Sequence, residues 1–465
     1  MIVFALSSCA TVGPDYVRPD ISVPDRWNAE TGLSKTGSGS DARTLSEWWT
    51  KFNDPELTSL MERAVQGNLD LLKATARVHE ARARRGVTKA DLFPTLDTSG
   101  SARWSRSSDD KGGGKSTDLY SASFDASWEL DIFGRVRRSV EASQADLEAS
   151  QEDLRDVLVS LLAEVALNYV EVRTFQNRLS VAEANLAVQD ETCRLTQWRY
   201  QAGLSDELAV QQALYNLKST QSQIPTLRVG IEESMNRIAV LLGEQPGKVH
   251  DELKKPVPIT AVPKEVAVGI PADVLRRRPD VRRTERELAA QTARVGVATA
   301  DLYPKFSLSG FIGMEALSLN GFFPSATKTV SGGPLISWPI FSGGAIRQNI
   351  EVQSALQEQA LINYETAILS ALEEVENAIV AYVEEQNRKD NLQEAVDAAR
   401  KAADLAQQKY EAGLTDFNNV LEAQRSLLTF QDQLTQSNGS IVSDLIRLYK
   451  ALGGGWESLF TAQKK

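Results

Sequence analysis

The chain has 465 residues, of which 42 % are hydrophobic and 24 % are charged, the balance of an ordinary folded protein. The net charge is −11, from 51 basic and 62 acidic residues, and this acidic balance argues against nucleic acid as a partner. Cys9, Cys193, His79 and His250 lie far apart in the sequence, which excludes a local metal cluster or a CxxC redox motif. No apolar run approaches the ~20 residues that a transmembrane helix needs.

The N-terminal stretch MIVFALSSCA is apolar and places Leu6-Ser7-Ser8 directly before Cys9. This pattern is typical of a secretory signal that ends in a lipoprotein cleavage box. We therefore predict that residues 1–8 are the remnant of a signal peptide and that Cys9 becomes the lipidated first residue. The stretch has no lysine or arginine, which indicates a late start or a truncated leader. An apolar N-terminus with an incidental cysteine is the alternative. After processing only Cys193 remains, which is too few cysteines for an intramolecular disulfide.

The chain is internally duplicated. The stretch ADLFPTLDTSG at Ala90 returns 210 positions later as ADLYPKFSLSG at Ala300, and YQAGLSD at Tyr200 returns as YEAGLTD at Tyr410. Further matches at this offset are Trp128 with Trp338, Arg137 with Arg347 and Glu141 with Glu351. Matches spread this widely in one register predict two structurally equivalent halves, and the period is too long for a solenoid repeat.

Each half begins with a helix-like segment, 55–92 or 271–302, followed by two strand-like segments. Alternation of apolar and polar residues is clearest from Tyr120 to Asp131 and weaker from Thr95 to Trp104. The apolar faces of the second half are Phe306, Leu308, Gly310 and Ile312, then Val330, Ile336, Trp338 and Ile340.

Strands of ~10 residues with one apolar face match a membrane β-barrel. Aromatic residues lie near the strand ends, where a girdle belongs: Trp104, Tyr120, Trp128 and Trp338. An ordinary soluble sheet is the alternative, and four strands could close a membrane barrel only if several chains contributed.

A proline-free helical pattern follows each strand pair, from about Arg137 to Tyr200 and from Ala345 to Tyr410. The first copy would span roughly 95 Å at the rise of an α-helix. Its leucines have coiled-coil spacing, and the second copy keeps that spacing: Leu147, Leu154, Leu158, Leu161 and Val165, then Ile368, Leu372, Val375 and Ile379. Each pattern ends at AGL, where Gly203 or Gly413 can take the left-handed conformation. Ser205-Asp206 and Thr415-Asp416 then supply N-cap chemistry for a returning helix. We predict a strand pair and a long antiparallel helical hairpin in each half, with a structural coiled coil as the plain alternative.

Four stretches carry a family resemblance: CATVGPDYVRP, WELDIFGRVRR, RRRPDVRRTERELAAQTARVGVATADLYP and the twin YxAGL[ST]D turns. Together they resemble the outer-membrane efflux lipoproteins of the TolC-type superfamily, in the branch that serves resistance–nodulation–division pumps. The resemblance covers essentially the whole mature chain. It implies a mainly α fold with transmembrane β, in which four strands from each chain of a homotrimer form one 12-stranded β-barrel. It also implies a continuous α-helical barrel, a small equatorial domain, and a lipid-anchored position in the cell outer membrane with a periplasmic tunnel.

The implied domain organisation follows the duplication. Residues 9–54 form the lipidated N-terminal segment and equatorial belt, 243–270 an equatorial linker and 453–465 a C-terminal equatorial tail. Repeat 1 is 55–242, with strand pair 94–131 and hairpin 137–242; repeat 2 is 271–452, with strand pair 304–341 and hairpin 345–452. The segment 243–269 is rich in proline and glycine and the segment 27–52 in glycine and serine, and both suit the belt. The prolines of ADLFP and ADLYP end each helix where tunnel would give way to barrel.

The function implied is that of an outer-membrane exit channel of a tripartite efflux pump, which passively conducts drugs, other small toxic compounds or metal ions. Its partners would be a periplasmic adaptor protein, an inner-membrane resistance–nodulation–division pump and outer-membrane lipid. The alternatives are a type I protein secretion channel and a non-channel envelope coiled-coil lipoprotein, which would leave four amphipathic strands unexplained.

No Ser/His/Asp, metal-ligand or phosphate-loop pattern is present, so we expect no enzyme, no metal site and no cofactor beyond the covalent N-terminal lipid. Four methionines give no thioether relay for soft metals, and the sequence does not select the substrate.

The resemblance places the pore constriction, or periplasmic gate, at the end of the second hairpin. The matching positions are Lys409, Tyr410, Asp416, Asn418, Glu422 and Arg425. Asn418, Glu422 and Arg425 lie on one helical face, and Asp416 or Glu422 from three chains would form an acidic ring that attracts cations. Relatives close the pore with a bulky apolar residue where this chain has Asn418, so we expect no apolar plug. Solvated helix-end charges are the plain alternative.

The turns at both hairpin ends are expected to dock the adaptor: Gly203, Leu204, Ser205, Asp206, Gly413, Leu414 and Thr415.

Overall fold

The computed structural model describes residues 11–28, 45–258, 269–322 and 327–456. Over these residues the protein is mainly α-helical and contains a four-stranded antiparallel sheet, the combination of helix and strand that the sequence predicts. Within the described ranges, no helix is both long and apolar enough to cross a membrane. Cys9, residues 1–8, residues 457–465 and part of both predicted belt segments lie outside the described residues.

Apart from one four-residue helix between the first two strands, the α-helices and strands occur in the same order in both halves of the chain. The first half contains α1 (Pro55–Gly67), α2 (Leu69–Ala90), β1 (Thr95–Arg106), α3 (Asp109–Gly112), β2 (Ser116–Leu130), α4 (Arg135–Gln201) and α5 (Glu207–Leu241). A short α6 (His250–Leu253) precedes the second half, which contains α7 (Pro271–Arg277), α8 (Pro279–Ala300), β3 (Lys305–Ala316), β4 (Lys328–Ser337), α9 (Ala345–Glu411) and α10 (Phe417–Ala451). Two 3₁₀ helices cover Trp48–Phe52 and Leu319–Gly321.

The four strands form one antiparallel sheet in chain order, β1-β2-β3-β4. All four predicted strands are present, but the fourth is shorter than predicted. Trp338 and Ile340 lie beyond its last residue, Ser337. Pro339 explains the early end because it has no N–H with which to continue the ladder. In the described residues β1 pairs only with β2 and β4 only with β3, so both edges of the sheet are unpaired in a single chain.

The predicted helix 55–92 is in fact two helices, broken at Asn68, and its copy in the second half is broken at the equivalent Arg278. Asn68 donates through Nδ2 to the carbonyl of Leu241 at 2.8 Å, and Arg278 donates through Nη1 to the carbonyl of Ala451 at 2.8 Å. Leu241 and Ala451 are the last residues of α5 and α10, whose carbonyls lack helical partners. The prediction of a single helix is therefore wrong in both halves. At each break, a side-chain donor reaches the free carbonyl at the end of another helix. Pro279 adds to the second break by disfavouring helix at the residue before it.

The two long helices, α4 and α9, contain 67 residues each and return through α5 and α10 of 35 residues each. Gly203 and Gly413, between the arms, both have φ of +74°, the left-handed conformation that the AGL pattern predicts. We call α4 with α5 the first hairpin, and α9 with α10 the second.

The chain divides into two compact units, to each of which α4 and α9 contribute residues. The first unit contains the described residues of 11–21, 76–152 and 282–367, which include the sheet. Alanines of α4 and α8 (Ala145, Ala289 and Ala290) form a buried cluster there, against which Tyr16 packs. The second unit contains the described residues of 22–75, 153–281 and 368–456. Its core includes Trp48, which is 1 % exposed and stacks on Tyr449 with ring centroids 5.6 Å apart.

Candidate functional site

In the first unit, the WELDIFGRVRR stretch forms the junction between β2 and α4. Arg135 makes a two-bond ion pair with Glu129, at 2.9 and 2.6 Å. Asp131 accepts the backbone N–H groups of Val136 at 3.1 Å and Arg137 at 2.9 Å, and so satisfies two free donors at the start of α4. These acidic residues therefore fix the direction in which α4 leaves the sheet.

The N-terminal segment, residues 11–18, lies against this junction. The side chain of Arg138 is only 4 % exposed and pairs with Asp15 at 2.6 Å. It also donates to the carbonyls of Val12 and Gly13, both at 3.3 Å. A buried guanidinium with several acceptors is a strong anchor, because each bond is charge-assisted.

Gly13 of the GPDY motif is required by geometry. Its φ is +86°, and a Cβ atom at this position would lie 2.4 Å from the Cα of Gly296 on α8. The backbones of the N-terminal segment and α8 therefore meet without side chains between them. Three of the stretches that carry the family resemblance thus converge at one place, which their separation in the sequence did not reveal.

Glu285 on α8 holds the other end of the same segment. It accepts from the Tyr16 hydroxyl at 3.3 Å and pairs with Arg18 at 3.3 Å and Arg286 at 2.5 Å. Burial, with the negative charge of Glu285, raises the pKa of Tyr16 to about 12, so the phenol stays a neutral donor.

The aromatic residues at the strand ends include a duplicated pair. Trp128 donates through its indole N–H to the carbonyl of Leu92 at 3.0 Å, and Trp338 donates in the same way to Leu302 at 3.1 Å. Leu92 and Leu302 belong to ADLFP and ADLYP, so each indole bridges a strand end and the preceding helix end. The two rings remain 37 % and 55 % exposed in the single chain. They have the amphipathic placement expected of an aromatic girdle.

In the second unit, the two hairpin ends have the same backbone turn. The N–H of Leu204 donates to Arg199 O and that of Leu414 to Lys409 O, both at 2.8 Å. Each turn leaves its leucine in solvent, with Leu204 69 % and Leu414 77 % exposed. Gly203, Ser205, Gly413 and Thr415 complete these two turns.

The N-caps of the returning helices differ. Asp206 caps α5 by accepting the N–H of Ala209 at 2.8 Å, as predicted. Asp416 occupies the N-cap position of α10, but its side chain makes no capping hydrogen bond among the described residues. The predicted N-cap bond is therefore wrong for Asp416, which remains exposed, while Thr415 accepts from Asn419 at 2.8 Å.

The surfaces of the two ends also differ. The first hairpin exposes Trp198 (63 %) and Leu208 (62 %) beside its turn. The equivalent positions of the second hairpin, 210 residues later, are Gln408 and Asn418. The duplication therefore gives one turn twice, but the exposed Trp198 and Leu208 of the first hairpin have polar counterparts on the second.

Tyr410 lies inside an apolar group at the end of the hairpins, which we call the tip cluster: Ala209, Ala213, Tyr410, Phe417, Val420 and Leu421. Its ring is 5.2 Å from that of Phe417, and the guanidinium of Arg199 lies over it at 4.5 Å. Its hydroxyl is buried and has no hydrogen-bond partner in the described part of the chain. In this conformation Tyr410 therefore contributes by packing and not by a hydrogen bond.

The remaining gate candidates lie on exposed positions: Lys409, Asp416, Asn418, Glu422 and Arg425. Arg425 donates through Nε to Asn216 Oδ1 on α5 at 3.0 Å, and its guanidinium lies 4.9 Å from the Tyr215 ring. The structure thus joins Arg425 to the first hairpin, an arrangement that the sequence reasoning missed. On α5, Asn216 follows Ala209 and Ala213 at the helical spacing of the buried face. A polar residue on an otherwise apolar face was the sequence signal that could have indicated this contact.

The described residues contain no group of three or more His, Cys, Asp or Glu side chains that could hold a metal ion. Cys193 is half-buried beside the tip cluster, and burial raises the pKa of its thiol. A thiol in such surroundings behaves as a small apolar residue.

Comparison with known proteins agrees with the duplicated architecture. The family model of outer membrane efflux proteins matches residues 60–244 and again residues 270–454, two matches with the same 210-residue offset. Nodulation protein T of Rhizobium leguminosarum bv. trifolii is 33 % identical over 98 % of this chain and 97 % of its own length. The toluene efflux pump outer membrane protein TtgI of Pseudomonas putida is also 33 % identical, over 97 % of this chain and 96 % of its own.

The same fold is found in solved structures. The solved structure of the outer-membrane channel OprN superposes with a TM-score of 0.91 and is 39 % identical, covering 96 % of this chain and all of that one. With both halves matched and nearly the full length aligned, the chain belongs to the outer membrane efflux protein family, and its place is in the outer membrane.

Proposed function

We propose that this chain forms the outer-membrane exit channel of a tripartite efflux pump. The observation that supports this most directly is the match of both halves to the outer membrane efflux family, on a chain that combines a four-stranded sheet with two long helical hairpins. The channel would receive its substrate from a periplasmic adaptor and an inner-membrane resistance–nodulation–division pump.

The assembly that fits this role is a homotrimer. A sheet with unpaired edges is unstable in lipid because each free N–H or C=O lacks a partner there. Joining β4 of one chain to β1 of the next would remove every edge, and three chains would then form a 12-stranded barrel. Sheet residues that are exposed in the single chain, such as Leu96 (71 %) and Ile336 (61 %), would meet lipid.

The channel would act as a passive conduit, without catalytic groups and without a cofactor apart from a covalent N-terminal lipid. Its cargo would be drugs, other small toxic compounds or metal ions. The polar walls and acidic balance of such a tube would favour cations.

Cys9 would carry the lipid. Thr11, only two residues further on, is within contact distance of Gly134 at the start of α4. The N-terminal segment would therefore hold the acylated residue near the end of the membrane strands. Mass spectrometry of protein from native outer membranes should find Cys9 acylated, and an unmodified Cys9 would contradict this assignment.

The gate would lie at the end of the second hairpin, where Arg425 bonds to Asn216 of the first. Since the Tyr410 hydroxyl has no partner in the described residues, Tyr410→Phe alone should leave conductance unchanged. Arg425→Ser, alone or with Tyr410→Phe, should raise single-channel conductance in planar bilayers, because it removes the bond to Asn216. Asp416→Ala should lower cation selectivity if three copies form an acidic ring.

The hairpin turns would dock the adaptor, mainly through the first hairpin, where Trp198, Leu204 and Leu208 are exposed. Apolar rings and leucines of this kind are typical anchors of protein interfaces.

The decisive experiment is purification of the full chain in detergent followed by bilayer reconstitution. Three chains of 51.0 kDa predict a particle of about 150 kDa of protein, as measured by native mass spectrometry. Stable channels of uniform conductance should appear in planar bilayers. A well-folded monomer with full β-structure and no conductance would overturn the proposal.

A further inference from the structure

The two faces of the sheet carry different side chains. Residues directly opposite each other on antiparallel strands share a face, so the register assigns each strand residue to one of the two. One face is apolar, includes Leu96 and Ile336, and would meet lipid. The other, which we call the polar face, would line the lumen of the proposed barrel. Small hydroxyl side chains are frequent on it: Ser99, Ser123, Ser309 and Ser331.

Phe311 is an exception on the polar face. The register places it opposite Asp125 on β2 and opposite Ser331 on β4. Its side chain is 40 % exposed. Both strands beside β3 belong to the same chain, so joining further chains at the sheet edges would add no strand next to Phe311. The ring would therefore remain in contact with the lumen after assembly.

The neighbours of this ring along β3 are small. Ser309 and Gly313 flank Phe311 on the polar face. A Cβ atom at Gly313 would lie 2.5 Å from the carbonyl oxygen of Ala122, so the close approach of the strands requires glycine there. On its own strand, the ring thus has no long side chain beside it that could cover it.

The duplication provides an internal comparison for Phe311. The equivalent position on β1, 210 residues earlier, is Ser101. Ser101 lies opposite Ser121, with their hydroxyl oxygens 2.8 Å apart, just as Phe311 lies opposite Ser331. Two strand pairs with the same register therefore carry a serine at one position and a phenylalanine at the other. The sheet does not need an aromatic ring at this position.

Two carboxylates lie beside the ring. Cβ atoms of directly opposite residues are about 4.5–5.5 Å apart, so Asp125 can reach a group that is bound on Phe311. Asp125 Oδ2 accepts from the hydroxyls of Ser99 and Ser123, both at 2.9 Å, and these donors hold the carboxylate in place. Asp97 lies opposite Asp125 on the other side.

These carboxylates lack a cation. In the described part of the chain neither Asp97 nor Asp125 has an ion-pair partner. The arginine of the polar face, Arg103, lies six residues from Asp97 along β1, about 20 Å away. Like charges on directly opposite residues repel each other. A cation bound beside Phe311 would relieve this repulsion.

We propose that Phe311, Asp125 and Asp97 form a contact site in the lumen for lipophilic organic cations, whose charge is carried on an apolar or aromatic body. The inference rests on the proposed channel function and names a substrate class for that channel. The face of an aromatic ring attracts both an apolar body and a cation, and the carboxylates attract the charge. A hydrated metal ion has no apolar surface to place on the ring, and an anion is repelled.

Block of the current in planar bilayers tests this site. Tetraphenylphosphonium and tetraphenylborate have nearly the same size and shape but opposite charge. We expect tetraphenylphosphonium to interrupt the current through the unmodified channel at concentrations at which tetraphenylborate has no effect.

Two variants remove the two parts of the site. Phe311→Ser gives the second half the side chain that the first half already has at position 101, so the sheet should still form. It should raise the half-blocking concentration of tetraphenylphosphonium about 2- to 10-fold, because the contact with the ring is lost. Asp125→Asn keeps an acceptor for the two serines but removes the charge, and should also raise this concentration.

Leu335→Ser is the matched control. Leu335 is also an exposed apolar residue of the polar face, at 58 %, but Ser307 and no carboxylate lies opposite it on β3. The half-blocking concentration should not change in this variant. Phe311→Trp should lower it, because indole binds cations more strongly than a phenyl ring does.

Failure of the site and failure of the channel give different results. No current from the unmodified chain would overturn the channel function and the contact site with it. If current flows but both probes block alike, or Phe311→Ser and Asp125→Asn are blocked as readily as Leu335→Ser, the channel function stands and the site is rejected. Should Phe311→Ser not assemble, Phe311→Leu keeps the apolar bulk without a ring face and must show the weaker block.

Discussion

The close approach of Gly13 to Gly296 offers a sharp test of how the N-terminal segment is held. In Gly13→Ala the new methyl group would start 2.4 Å from the Cα of Gly296, against an ordinary contact of about 3.4–4 Å. The segment must therefore retreat by about 1 Å or more. A left-handed backbone adds about 1–2 kcal/mol of strain for a non-glycine residue.

The retreat affects the bonds that anchor the segment. Arg138 donates to the Val12 and Gly13 carbonyls at 3.3 Å each, near the limit of a hydrogen bond, so a shift of this size breaks both. Hydrogen bonds to charged groups contribute about 1.5–3 kcal/mol when well made, and these long ones contribute less. Together with the strain, we expect the docked segment to lose about 3–5 kcal/mol, enough to detach it while the rest of the first unit stays folded.

Hydrogen exchange and limited proteolysis in detergent measure this detachment. The Val12 N–H, which donates to Phe133 O at 3.1 Å, should lose its protection in Gly13→Ala, and cleavage within 11–18 should accelerate. Gly86→Ala is the matched control, because a Cβ at Gly86 in α2 meets nothing within 4 Å; it should stabilise α2 by up to ~1 kcal/mol. Equal protection of Val12 in the two variants would refute the reasoning.

Three further predictions concern single side chains. Trp48→Ala should lower the free energy of unfolding of the second unit by about 3–5 kcal/mol, because it empties a site that is 1 % exposed and stacked on Tyr449; chemical denaturation followed by circular dichroism measures it. Trp338→Phe should cost about 0.5–1.5 kcal/mol through loss of the bond to Leu302, and an unchanged thermal midpoint in detergent would show that this bond is not made. Burial raises the pKa of Asp444 above its usual range. The folded state therefore binds the Asp444 proton more tightly than the unfolded state, and the free energy of unfolding falls as the pH rises through the folded pKa. Asp444→Asn should therefore raise stability at neutral pH and leave it nearly unchanged at acidic pH, and a loss of stability at neutral pH would contradict the sign.

Sequence patterns were sufficient wherever one short stretch decides the local structure. The alternation from Tyr120 places an apolar face on a strand, and two residues per period allow no other element. The left-handed Gly203 and Gly413 follow from the AGL pattern, since few other residues adopt that conformation without strain. The 210-residue offset predicted two equivalent halves, and the comparisons found the same offset.

Contacts between distant residues were decided only by the tertiary structure. Helix propensity continues through Asn68 and gives no sign that its side chain caps α5 173 residues away. Nothing local to Arg138 shows that it will be buried beneath the N-terminal segment. Likewise, Arg178 and Asn185 look like ordinary surface residues of a long helix until α10 supplies Asp432 and Gln431. A periodic pattern specifies which face of an element is buried, because that depends on neighbours along the chain. The identity of the group on the other side depends on chain topology, which brings together residues that share no local signal.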